Sequence, residues 1–275
     1  MTLIVHPRTQ QLLEVLAHQL PQSLLIMGGR GSGLLTIAQT IAGKNVLATL
    51  RPQDTKEQID NENGTISVEM IRRLYDQTRG KYTSRQVVII DDADRMNTSS
   101  QSAFLKLLEE PNSQIHFILT SHHPDTLKLT VRSRLQQIAV REITPQQTNE
   151  LIHALGINDP VKQAQLGYIA SGLPAEIVRL SRDEDYFAER AQIMSDARLL
   201  LQADTYQRLL ITQKYQTNRD GALQLLASAI QIARRSLSTK PQHGLVTQLD
   251  RLLQAQEHIA SNYNIRLQLA QFVLQ

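Results

Sequence analysis

Apolar residues recur along the first half of the chain in two alternating rhythms. Leu12, Leu13, Leu16 and Leu20 fall at helical spacing and predict an amphipathic helix over 9–20, ended by Pro21. Residues 23–27 form a short apolar run that reads as a strand, and 34–42 read as a helix that Gly43 ends. The alternation continues with a strand over 45–50 and a helix over 67–79 that carries Met70, Ile71 and Leu74. A strand over 86–90 follows, then a helix over 98–108 capped by Asn97 and closed by Pro111. Strands over 115–120 and 137–140 complete the series. The polar, aperiodic stretch 51–64 reads as a loop or a poorly ordered segment, and 80–85 as a turn. The run V-V-I-I at 87–90 is β-branched at every position, which predicts a strand buried on both faces. Strands alternating with helices predict an α/β fold with a doubly wound parallel sheet.

The rhythm changes after Glu142. Three short helices are predicted over 146–155, 161–170 and 175–180, the first capped by Thr144-Pro145, with no strand between them. From Asp185 onward the pattern is of longer helices. Leu223, Leu226, Ile230 and Ala233 fit one face, Leu245, Leu249, Leu252 and Leu253 another, and Ile265, Leu269, Phe272 and Val273 a third. Three domains are expected: 1–142, 143–183 and 184–275. There is no internal repeat and no low-complexity segment.

Composition narrows the chemistry. The 275 residues are 41% hydrophobic, enough for sizeable cores. Aromatics are 4% and Trp is absent, which argues against base stacking as the main binding device. With no cysteine there is neither disulfide nor thiolate-bound zinc, and a cytoplasmic protein fits. No apolar run reaches membrane-spanning length, and M-T-L-I-V-H-P-R lacks the features of a signal peptide. A net charge of +3 is a weak tilt towards polyanions, and most basic residues alternate with acids.

Two stretches carry candidate chemistry. G-G-R-G-S-G, 28–33, has the end glycines of a phosphate-binding loop between a strand and a helix. Gly28, Gly31, Ser32 and Gly33 are its candidate nucleotide contacts, through backbone N–H groups and the helix start. Leu34 stands where such loops place Lys, and Leu35 where a hydroxyl holds magnesium, so ATP hydrolysis is not expected. Arg30 is the one cation within the loop, and the plain alternative is a glycine turn kept for tight packing. Asp91 and Asp92 follow the buried strand. Asp91 matches the acid that helps hold magnesium beside a phosphate loop, and Asp92 falls where an activating Glu is usual. The alternative is a pair of solvated carboxylates, Asp92 and Asp94, leading into the next helix.

The block 87–112, V-V-I-I-D-D-A-D-R-M-N-T-S-S-Q-S-A-F-L-K-L-L-E-E-P-N, resembles the corresponding block of bacterial clamp-loader subunits of the AAA+ superfamily. L-K-L-L-E-E-P, 105–111, is its most specific part. F-I-L-T-S, 117–121, is similar to the sensor-1 strand, with Thr120 or Ser121 as the polar residue. V-R-S-R-L, 131–135, is similar to the family's S-R-C motif: Ser133 and Arg134 match, and Leu135 replaces Cys. N-Y-N-I-R-L-Q-L, 262–269, resembles the start of the last collar helix. S-G-L-P-A-E-I-V, 171–178, resembles the sensor-2 helix, with Ala175 at the Arg position.

The resemblance implies an AAA+ α/β domain, a helical lid and an all-α collar. With Leu34, Leu35 and Ala175 at ATP-handling positions and Arg134 kept, it implies a delta-prime type. Such a subunit does not hydrolyse ATP but presents an arginine finger, Arg134 with Ser133, to a neighbour. Arg132 would be a local ion-pair partner. This chain would then need no cofactor of its own, ATP and magnesium being bound by neighbouring subunits. Gly43-Lys44 fills the gap where many relatives carry a four-Cys zinc module. The implied partners are motor and delta-type subunits, a sliding clamp and primer–template DNA. Lys106, Arg72, Arg73, Arg79 and Lys81 are candidate phosphate contacts, or else solvated helix faces. Two other readings are a motor ATPase that uses Arg30, and a nucleic-acid-binding helical scaffold.

Overall fold

The computed structural model describes residues 3–61, 63–239 and 243–274. The chain divides into two compact units, Met1–Ser181 and Arg182–Gln275.

The first unit opens with α1 (Pro7–His18), β1 (Ser23–Met27), α2 (Leu34–Ala42), β2 (Val46–Leu50) and α3 (Val68–Thr78). It continues with β3 (Gln86–Ile90), α4 (Thr98–Glu109), β4 (Ile115–Ser121), α5 (Leu129–Arg132) and β5 (Gln136–Ala139). Three helices close it: α6 (Pro145–Ala154), α7 (Pro160–Ala170) and α8 (Pro174–Arg182). The five strands form one parallel sheet in the order β2-β3-β4-β1-β5.

The β-branched run explains itself in this sheet. Val87 and Ile89 pack with Leu24, Ile26, Ile37 and Ile118 on one face, while Val88 and Ile90 pack with Phe104, Phe117 and Leu119 on the other. A strand sends successive side chains to opposite faces, so two cores require four apolar residues in a row. Phe104 of α4 meets Phe117 of β4 edge to face, with ring centroids 5.3 Å apart.

Most helix ends follow from their caps. Asn97 Oδ1 accepts the Ser100 N–H at 2.8 Å at the start of α4. Thr144 and Gln147 form a reciprocal capping box at the start of α6. Pro7 at the first turn and His6, whose ring accepts the Arg8 N–H, start α1 two residues before the apolar spacing predicts. The one-turn helix α5 was not predicted, because four residues carry no measurable period. The polar stretch after β2 is a stapled loop: Gln53 and Thr65 exchange backbone hydrogen bonds, and Asp54 accepts the N–H groups of Lys56 and Gln58.

The second unit holds α9 (Glu184–Gln202), α10 (Thr205–Tyr215), α11 (Arg219–Thr239), α12 (His243–Ala260) and α13 (Ile265–Leu274). α11 packs against α9 and α12, and α10 against α13. Leu226, Ile230 and Ala233 are buried, as are Leu269, Phe272 and Val273. Leu252 is buried but Leu253 is exposed, contrary to the expected shared face, because consecutive helical positions point about 100° apart. Asp196, buried on α9, accepts from Lys214 Nζ at 3.1 Å and from the Tyr215 hydroxyl at 2.8 Å. Burial and this carboxylate push the Tyr215 phenol well above its usual range.

Candidate functional site

The sheet gathers most of the predicted residues at one edge. The glycine loop follows β1, Asp91 and Asp92 follow β3, and Thr120 and Ser121 end β4. β1 lies between β4 and β5, so its C-terminal end is the place where the chain's crossovers diverge to the two sides.

Asp91 and Asp92 are buried, 7% and 8% exposed, and Asp94 is half-buried, so Asp92 and Asp94 are not the solvated pair that local sequence also allowed. The Thr120 hydroxyl donates to Asp91 Oδ1 at 2.7 Å, and its oxygen accepts the Asp92 N–H at 2.9 Å. Arg51 Nε lies 3.7 Å from Asp91 Oδ2 and is itself buried without a hydrogen bond. Burial raises the Asp91 carboxyl above its ordinary value, and the Asp92 charge raises it further. The Thr120 hydroxyl, Arg51 and His122 oppose that rise. Asp92 has left-handed backbone angles, φ 50° and ψ 52°, as it turns the chain into a 3-10 turn at Ala93–Arg95. His122 lies between loop and acids: Nδ1 donates to the Gly28 carbonyl at 2.8 Å, and Nε2 is 3.3 Å from Asp92 Oδ1. The His122 N–H also donates to Asp94 Oδ1. Ser121 Oγ accepts the His123 N–H rather than reaching an acid.

The glycine loop is turned on itself. The Ser32 hydroxyl donates to the Gly29 carbonyl at 2.7 Å. Leu34 is 2% exposed and packs in the apolar core, with Leu35 against it. The Gly31 carbonyl accepts the N–H groups of Ala175 at 2.8 Å and Glu176 at 3.2 Å, both at the start of α8. Gly31 has φ +89°, and a Cβ there would stand 2.8 Å from Glu176 Cβ, so only glycine allows this approach. Arg30 is exposed. With no cation at position 34 and the loop held by α8, these residues do not fit a magnesium–triphosphate.

Arg134 lies away from this edge, just past α5. α5 is pinned to α4 by the buried side chain of Gln101. Its Oε1 accepts the Lys128 N–H at 2.7 Å, and its Nε2 donates to the Met96 and Thr126 carbonyls. Val131 and Leu135 anchor the turn in the core, so Leu135 fills apolar space where the resembling motif has Cys. Ser133 and Arg134 are exposed between them. Ser133 Oγ donates to the Thr130 carbonyl. Arg134 donates to the Thr130 carbonyl and to Glu109 Oε1, each at 2.9 Å. Arg132 pairs with Asp125 at 2.6 Å, a local ion pair as expected. Sequence reasoning passed over Gln101, Glu109, Arg51 and His122. For Gln101 the available signal was its place on the inward face of α4.

Among the candidate phosphate contacts, Arg73 pairs with Glu57 and Arg79 stacks on the Tyr75 ring 4.1 Å from its centroid. Arg72, Lys81 and Lys106 are exposed.

The parallel order, glycine loop, acid pair and polar strand end give an α/β domain with the fold of AAA+ proteins, followed by helices. The same fold is found in a gamma-subunit-related protein of DNA polymerase III from Thermotoga maritima, with TM-score 0.50 and 17% identity over 96% of this chain and 97% of that one. Residues 44–144 match the family model described as DNA polymerase III, delta subunit. Subunit delta' of DNA polymerase III from Bacillus subtilis is 25% identical over 127 residues, 46% of this chain and 38% of that protein. The Pseudomonas aeruginosa subunit delta' is 30% identical over 118 residues, 42% and 36% respectively. The matches thus span less than two fifths of those relatives' own length. The family model's stretch, 44–144, holds the acid pair and Arg134 but not the glycine loop, and with the two relatives it makes the chain similar to bacterial clamp-loader subunits of the delta-prime type.

Proposed function

We propose that this chain is a non-hydrolysing, delta-prime-type subunit of a bacterial clamp loader and supplies Arg134 to the ATP site of a neighbouring motor subunit. The observation that carries the reading is Arg134 itself: an exposed guanidinium on a turn whose backbone is fixed by the buried amide of Gln101 and by Val131 and Leu135. A guanidinium reaching a γ-phosphate from outside stabilises the charge of phosphoryl transfer and is worth about 10³–10⁵ in rate. The self-closed glycine loop and buried Leu34 support a chain with no turnover of its own.

In this reading residues 143–183 act as lid and 184–275 as an oligomerising collar. The partners are motor and delta-type subunits, the sliding clamp and, through non-specific phosphate contacts at Arg72, Lys81 and Lys106, primer–template DNA in the cytoplasm.

The test is steady-state ATPase of the reconstituted loader with clamp and primed DNA. Arg134→Ala lowers turnover at least tenfold while the isolated chain shows none. Normal turnover by the mutant assembly defeats the finger assignment. Turnover by the isolated chain, lost on Arg30→Ala, replaces this reading with that of a motor subunit.

A further inference from the structure

Arg134 is not free in this chain. A guanidinium grips a phosphate by presenting two N–H groups side by side. Here both ends of the fork are engaged on the chain's own acceptors, the Thr130 carbonyl and Glu109 Oε1. Glu109 is the last residue of α4, and Glu110 follows it. Partial negative charge on the last carbonyls of a helix makes a carboxylate unfavourable there unless a cation stands beside it. Arg134 supplies that cation. Both side chains remain well solvated, 40% and 51% exposed, so the pair is separable on encounter with a stronger acceptor.

We propose that Glu109 is a latch on the finger: its carboxylate stands in for a phosphate oxygen and holds Arg134 parked on its own chain until a neighbouring subunit's nucleotide takes it over. This inference rests on the finger reading above. A parked fraction lowers the apparent affinity of the guanidinium for phosphate in proportion. Once Arg134 leaves, the Glu109 carboxylate faces an incoming polyanion without its cation, which opposes engagement again. The latch has a definite sign: removing the carboxylate helps the reaction. A carboxylate that merely aimed the arginine would have the opposite sign.

The test uses the reconstituted loader with clamp and primed DNA, and ATPase measured against ATP concentration. Wild type, Glu109→Gln, Glu109→Ala, Arg134→Ala and Glu109→Gln/Arg134→Ala are compared. Thermal melting of each chain verifies folding, which two exposed side chains leave intact. Both Glu109 variants raise kcat/KM roughly two- to fivefold, the range that an exposed ion pair supports. The gain lies mainly in KM, shrinks at raised salt as the pair is screened, and is absent on the Arg134→Ala background. A fall or no change in the Glu109 variants, with Arg134→Ala strongly impaired, overturns the latch and leaves the finger in place. Arg134→Ala indistinguishable from wild type overturns the finger reading itself.

Discussion

Thr120 and Asp91 are joined by a 2.7 Å hydrogen bond at the buried end of the sheet, and the same hydroxyl oxygen receives the backbone N–H of Asp92. One side chain of β4 thereby holds the turn that follows β3. Thr120→Val keeps the shape but removes the donor to a buried carboxylate and the acceptor of a buried amide. Leaving such groups unpaired costs about 1–3 kcal/mol. The expected outcome is a loss of that size in denaturant-unfolding free energy, with the slope unchanged.

Asp91 predicts a pH dependence. Burial raises its carboxyl above the ordinary value of 3.8. The folded chain therefore keeps a proton that the unfolded chain has already released. The associated stability is fully present below the unfolded value and is lost as pH rises through the folded one. At neutral pH the ionised carboxylate is a net cost. Asp91→Asn retains an acceptor for Thr120 and is expected to be more stable than the parent at pH 7. That advantage falls away as the solution is acidified towards pH 3.8. Unfolding midpoints of both chains at neutral and acid pH decide it.

Restoring the missing lysine does not restore the loop. Leu34 is packed in the core with Ile37 and Ile41 rather than facing an open cradle. Leu34→Lys removes apolar contact and brings a charge into that packing. A stability loss of roughly 2–4 kcal/mol is expected, with no heat of ATP binding by calorimetry. A rise in melting temperature with added ATP refutes the self-closed loop.

Much of the α/β architecture was legible because it rests on local signals. Val87–Ile90 announced a two-faced strand, Asn97 a helix start and Gly43 a helix end. The site was legible where chemistry sits at a strand end, as at Asp91 and Thr120. It was not legible where residues far apart in the chain meet. Nothing in the local pattern ties Glu109 to Arg134 or Gly31 to the start of α8, and His122 gave no sign that its ring would bridge Gly28 and Asp92. The turn α5 was missed because its order comes from Gln101 and two apolar anchors, not from periodicity.

The bond between the Gly31 carbonyl and the first N–H groups of α8 has a consequence for signalling. In a switch, a loop touching nucleotide on one side and a helical lid on the other translates occupancy into an angle. Here the loop's carbonyl already holds the start of α8, and glycine's missing side chain keeps the two in touch. In the function proposed above, this joint ties α8 to the loop through the backbone alone, so loop and helix would answer a neighbouring subunit as one piece.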